Sequence, residues 1–109
     1  MDVPQIDIDE AAQLLADGAA AVVDVRQPEE YLEGHVPGAP LVPLAEVPDR
    51  VDEFPTDGPV LIICRSGARS NRAAELLRAQ GIDARNVVGG TLAWIDAGQR
   101  VVPGPDAGS

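Results

Sequence analysis

Lysine is absent from this 109-residue chain, cysteine and histidine occur once each, and the aromatic residues are Tyr31, Phe54 and Trp94. A single cysteine excludes an internal disulfide and a cysteine-based zinc cluster. One histidine, with no Cys/His cluster around it, argues against a transition-metal site. With so few aromatics the core must rest on Val, Leu, Ile and Ala, and a hydrophobic content of 45% is enough to build one. Positive charge is also scarce: 18 acids face 8 arginines, for a net charge of −10. That balance repels nucleic acid and anionic lipid, so neither is an expected partner. No apolar run approaches a membrane span, and Met1-Asp2-Val3-Pro4 lacks a basic region leading into an apolar stretch. The expectation is one compact domain in a soluble, cytoplasmic protein, where a free thiol stays reduced.

The acids leave one gap. None lies between Asp57 and Glu75, and the gap holds Arg65, Arg69 and Arg72. It also holds the single cysteine, in Val60-Leu61-Ile62-Ile63-Cys64-Arg65-Ser66-Gly67-Ala68-Arg69-Ser70. An aliphatic run, a Gly-containing turn and a helical pattern read as strand, loop and helix. The thiol falls at the carboxyl end of the strand, where open α/β sheets bind ligands. The opening of the helix offers unpaired N–H groups and the positive end of its macrodipole. Both favour a thiolate, the reactive form of cysteine. The surrounding arginines do the same and concentrate small anions. A lone cysteine after a strand otherwise reads as a small buried hydrophobe. The arginines and the loop tip the reading towards a reactive thiol.

Along the chain, Pro4-Gln5-Ile6 reads as a short first strand. Asp7 reads as a helix N-cap with Glu10 completing a capping box, and Gly18 as the helix end. Ala21–Val25 reads as a buried strand and Pro28–Glu33 as a short helix with proline in its first turn. Leu41-Val42 reads as a brief strand, and Leu44–Phe54 as containing a helix interrupted before Pro48. Val60–Ile63 is the central strand, buried on both faces. The following helix carries Ala73, Leu76 and Leu77 on one stripe and stops at Gly81. Ala84–Val88 is a further strand, and Thr91–Ala97 a last helix. Alternating strands and helices imply an α/β fold with a parallel sheet and helices on both faces. The Pro- and Gly-rich residues 103–109 read as a flexible tail behind a domain spanning residues 1–102.

Four segments in order carry a family resemblance. They are Asp24-Val25-Arg26 with Pro28-Glu29-Glu30-Tyr31, Glu33-Gly34-His35-Val36-Pro37-Gly38-Ala39, Cys64 to Ser70, and Gly89-Gly90 followed by Trp94. Together they resemble a single-domain rhodanese, a thiosulfate sulfurtransferase-like domain. The resemblance implies a central, mainly parallel five-stranded sheet and a cysteine that holds transferred sulfur as a persulfide. It places the nucleophile on Cys64 and the substrate loop on Arg65, Ser66, Gly67, Ala68 and Arg69. Amides of such a loop form an anion nest, and guanidinium groups suit an oxyanion donor. The implied reaction takes sulfur from a small anionic donor such as thiosulfate. It passes the sulfur to a thiol, a cyanide ion or a protein thiol, and it requires no metal and no cofactor.

Asp24, Arg26, His35 and Ser70 are possible supporting residues. His35 reads either as a general base or, as the resemblance implies, as a group orienting a loop. Asp24 and Arg26 either line the pocket or form a buried pair. Ser66 and Ser70 bond substrate oxygens or cap the helix. Trp94 reads as core and Arg72 as a solvated charge. Two other functions stay open. One is a cysteine phosphatase or arsenate reductase of related fold, although those phosphatases use a loop one residue longer. The other is a persulfide carrier or protein-binding module without turnover.

Overall fold

A computed structural model describes residues 2–108; Met1 and Ser109 lie outside the described residues. The elements run in order β1 (Gln5–Ile6), α1 (Ile8–Ala16), β2 (Ala21–Asp24), α2 (Pro28–Glu33), β3 (Val60–Ile63), α3 (Ala68–Ala79), β4 (Ala84–Val87) and α4 (Gly90–Asp96). The sheet is ordered β1-β4-β3-β2, and every pairing is parallel. Asp7 caps α1 by accepting the Glu10 N–H at 2.8 Å, as its position in the sequence predicts.

β3 explains the layering. It runs through the middle of the sheet and is buried along its whole length. Its side chains alternate between the two faces. Val60 and Ile62 join a core with Val47, Ala73, Ala74 and Leu77, the last three on α3. Leu61 and Ile63 join a second core with Ala11 of α1 and Trp94 of α4. The same alternation sends Cys64 to the α3 face, into the first core. The position of the thiol beneath the start of α3 therefore follows from strand periodicity. Trp94 is a core residue, 5% exposed, and its indole N–H donates to the Arg100 carbonyl at 2.8 Å.

Two expectations need correction. The sheet has four strands, not five. Leu41-Val42 forms only an isolated parallel bridge, Leu41 to Asp24. Pro40 and Pro43 flank it and lack the N–H groups that a longer ladder needs. The segment 44–54 is not α-helical but two 3-10 segments, Leu44–Asp49 and Val51–Glu53. Pro48 lies inside the first, where it has no N–H to give to a carbonyl four residues back.

Residues 102–107 are tied to the domain rather than free of it. Val102 and His35 exchange backbone hydrogen bonds at 2.9 Å, the Gly104 N–H donates to the Leu32 carbonyl at 3.0 Å, and the Gly38 N–H donates to the Ala107 carbonyl at 2.8 Å. His35 is the buried centre of this tie. Its Nδ1 lies 2.9 Å from the Tyr31 carbonyl oxygen and its Nε2 2.8 Å from that of Asp106. The ring stacks on Tyr31 at a centroid distance of 3.6 Å, and the Tyr31 hydroxyl donates to the Ala39 carbonyl. No helix among the described residues is long and apolar enough to cross a membrane.

His35→Leu keeps most of the ring volume but leaves the Tyr31 and Asp106 carbonyls without their imidazole partner. It is expected to cost about 1–3 kcal/mol of stability in urea unfolding and to expose residues 103–108 to proteolysis. An unchanged urea midpoint would show that the ring does not hold this segment.

Candidate active site

The site is built where β3 ends and α3 begins. Three residues, Arg65 to Gly67, make the turn between Cys64 and the first residue of α3. Gly67 occupies the cap with φ 109°, a left-handed conformation that glycine adopts without steric cost. Its N–H points at the Cys64 sulfur at 3.1 Å. The N–H groups of Ser66 and Ser70 also favour negative charge on the sulfur, and the Ser70 hydroxyl oxygen stands 3.2 Å from it. Of the amides in the expected loop those of Ser66 and Gly67 face the sulfur, and Ser70, one residue beyond that loop, adds a third. Cys64 is only 1% exposed. Burial pushes its thiol up, while hydrogen bonds from the Ser70 hydroxyl and from the N–H groups of Ser70, Gly67 and Ser66 pull it down. The downward pull prevails.

The carbonyls of the turn are held from behind. The Thr91 N–H and hydroxyl both donate to the Cys64 carbonyl, at 2.8 and 3.0 Å, and the Leu92 N–H donates to the Arg65 carbonyl at 3.1 Å. The first turn of α4 therefore fixes the loop through its unpaired N–H groups. Gly90 makes this approach possible. A Cβ there would lie 2.5 Å from the Cys64 carbonyl oxygen and 2.6 Å from that of Arg65, and its φ is +59°.

The expected substrate arginines divide. Arg69 is engaged by Glu30 in two parallel bonds of 2.7 and 2.8 Å. The Arg69 guanidinium is the main cause that brings the Glu30 carboxyl down to about 2. Glu30 is itself held by the Gln27 N–H at 3.0 Å. Arg65 is exposed and has no ion-pair partner among the described residues. It lines an open depression of about 330 Å³ together with Arg26, Glu30, Thr91, Leu92 and Ile95. Cys64 is not in the wall of that depression.

The possible supporting residues separate as well. Ser70 is fully buried and contacts the sulfur directly. Asp24 and Arg26 form a buried pair: Arg26 Nη2 lies 2.8 Å from Asp24 Oδ2 and also donates to the Gly34 carbonyl at 2.8 Å. That pair ties the end of β2 to the segment carrying His35. His35 itself faces backbone carbonyls and does not contact the sulfur. Glu30 stands in a segment that carries the resemblance but has no site role assigned from the sequence, and Asn86 stands in none. Glu30 lies 39 positions from its arginine. Asn86 of β4 stands 2.6 Å from the Ser70 hydroxyl of α3. Neither contact leaves a local pattern; an asparagine inside an otherwise buried strand was the one available signal.

Comparisons with known proteins give the family of the chain. The Rhodanese-like domain family matches residues 7–97. A sulfurtransferase of Allochromatium vinosum is 40% identical over 102 residues, covering 92% of this chain and 95% of that protein. Thiosulfate sulfurtransferase GlpE of Pseudoalteromonas translucida is 33% identical, covering 86% of this chain and 90% of that protein. The crystal structure of a rhodanese-related protein from Thermoplasma volcanium superimposes with a TM-score of 0.86 at 29% identity, over 91% of this chain and 97% of that one.

Gly90→Ala forces a methyl group into the carbonyls of Cys64 and Arg65. It is expected to cost roughly 1–3 kcal/mol in stability and to loosen the cradle. Urea unfolding combined with the rate of iodoacetamide reaction at Cys64 reads both effects. A variant with parental stability and reactivity would show that the contact between α4 and the loop is not what fixes the sulfur.

Proposed function

The chain belongs to the rhodanese-like family, and from that premise we propose that it is a sulfurtransferase working through a Cys64 persulfide. The observation that carries the reading is the cradle: a single buried sulfur meets the N–H groups of Ser66, Gly67 and Ser70 at the start of α3. Such a ring fits one anionic sulfur atom. In the first half-reaction the Cys64 thiolate attacks the outer sulfur of thiosulfate. The S–S bond of the donor breaks, sulfite leaves with its electron pair, and Cys64 holds the outer sulfur as a persulfide anion. In the second, a thiol, or the carbon of cyanide, attacks that outer sulfur and Cys64 leaves as the thiolate. Two half-reactions through a covalent intermediate give ping-pong kinetics. Neither step calls for a metal or a cofactor.

The roles of the loop follow from its contacts. Ser66, Gly67 and Ser70 stabilise negative charge on sulfur, and Ala68 opens the helix that aligns them. Arg65, exposed beside the depression, meets the donor oxyanion. Arg69 acts mainly through Glu30: its guanidinium is anchored, so it contributes a fixed positive field near the sulfur rather than a mobile clamp. Asp24, Arg26 and His35 hold the frame. The acidic surface and the reduced thiol fit a cytoplasmic setting with small-molecule or protein thiols as acceptors.

The test is thiocyanate formation from thiosulfate and cyanide. Cys64→Ser is expected to fold and to be inactive, since the chain has no other thiol. Arg65→Ala is expected to lower kcat/KM for thiosulfate by roughly tenfold, the size of one lost charge-assisted contact in partial solvent. Added salt is expected to weaken donor use in the parent more than in this variant. Turnover by Cys64→Ser would refute the mechanism, and unchanged thiosulfate efficiency in Arg65→Ala would remove that arginine from the donor site.

A further inference from the structure

The Ser70 hydroxyl beside the sulfur has one proton and two claimants. Its oxygen lies 3.2 Å from Cys64 Sγ and 2.6 Å from Asn86 Oδ1. Asn86 is 4% exposed, and its Nδ2 donates to Gln5 Oε1 at 2.8 Å. Gln5 is its direct neighbour in the parallel pairing of β1 with β4. The Gln5 Nε2 donates in turn to Asn71 Oδ1 at 2.8 Å and to the Val3 carbonyl at 3.0 Å. Asn71 Nδ2 then faces Glu75 Oε1 at 3.4 Å. A row of polar side chains therefore runs from the buried sulfur to the surface.

The outer end fixes its direction. A backbone carbonyl and a carboxylate only accept hydrogen bonds. The Val3 carbonyl turns the Gln5 amide nitrogen outward, and the Glu75 carboxylate does the same to Asn71. Gln5 then offers its oxygen to Asn86, Asn86 offers its oxygen to Ser70, and the Ser70 proton goes to Asn86. Every donor in the row points away from the sulfur. In that arrangement Ser70 presents a lone pair to Cys64, which suits a thiol S–H; the downward pull of its hydroxyl on the thiol belongs to the other rotamer, with the hydroxyl proton directed at the sulfur. A thiolate or persulfide anion needs the hydroxyl to rotate inward, which leaves Asn86 Oδ1 without a donor unless the row reverses.

We propose that Gln5 and Asn86 are positioning residues that decide, through Ser70, how readily the Cys64 sulfur accepts negative charge. The three loop amides favour the anion whatever the row does; the row opposes them and sets the balance. An attacking thiol works best when it ionises near ambient pH, because a more acidic one is a poorer nucleophile. The charged groups around the sulfur are Arg65 of the loop, Arg69 of α3 with its partner Glu30 of α2, and the Asp24–Arg26 pair after β2. Arg69 and Arg26 are each fixed on a carboxylate, so the neutral row is the adjustable element. The purpose assigned to the row rests on the sulfurtransferase reading, but its effect on the sulfur does not.

The experiment is the pH dependence of Cys64 alkylation by iodoacetamide, which needs no sulfur donor. Gln5 is exposed on a two-residue edge strand, so its variants keep the fold. Gln5→Glu offers Asn86 a group that only accepts and locks the row outward. Gln5→Met removes the anchor and lets Asn86 turn. On the rising limb of the profile, alkylation is expected to slow in Gln5→Glu and to quicken in Gln5→Met. Each change should be roughly twofold to tenfold, the range of one hydrogen bond. In a Ser70→Ala background both changes are expected to vanish. Equal changes with and without Ser70 would mean that charge at position 5 acts through space, and no change in either variant would mean that the row does not govern the sulfur. Either result overturns the proposal while leaving thiocyanate formation as a separate question.

Discussion

Backbone N–H groups at the start of α3 have no helical partner, and the sulfur of Cys64 is the acceptor they find. Most of the site follows from that one constraint. β3 is buried on both faces and ends abruptly, so the chain must turn into α3 within a few residues. The turn leaves amides converging on a point, and strand alternation delivers the Cys64 side chain there. The carbonyls of the same turn point the other way and are taken up by the first turn of α4. The loop is thus hydrogen-bonded on both sides.

Charge is organised around this frame in an acidic chain. Two of the arginines nearest the site are held by acids: Arg26 by Asp24 in a buried pair, and Arg69 by Glu30. Pairing orients these cations and also limits how strongly they draw an anion. Arg65 is the exposed cation beside the depression, and it is the one proposed to meet the donor. The Glu30 carboxyl, held near 2 chiefly by Arg69, stays ionised across the physiological range, so this pairing is constant. It would weaken only as pH falls from the ordinary carboxylate range towards that value.

The fold is legible in the sequence where local forces decide. The aliphatic run at Val60–Ile63, the cap at Asp7, the proline opening α2 and the Gly89-Gly90 turn all appear as elements or their boundaries. The thiol at the end of β3 was legible because it combines a strand signal, a glycine turn and a gap in the acids. What was not legible depends on partners distant in sequence. Leu41-Val42 has the composition of a strand but stays a single bridge, because flanking prolines stop its ladder. Arg69 reads from the sequence as a donor-binding cation, because nothing local shows that Glu30 reaches it from α2. The Gln5–Asn86–Ser70 row joins three elements and exists only once β1 pairs with β4.

The central claim is that the cradle around Cys64 holds an extra sulfur as a persulfide. Intact-mass measurement of the reduced protein after incubation with thiosulfate tests it most directly. The account predicts a gain of one sulfur atom, located on Cys64 and lost when a thiol acceptor or cyanide is added. A mass that stays that of the reduced protein under conditions where sulfur donors are in excess would contradict it.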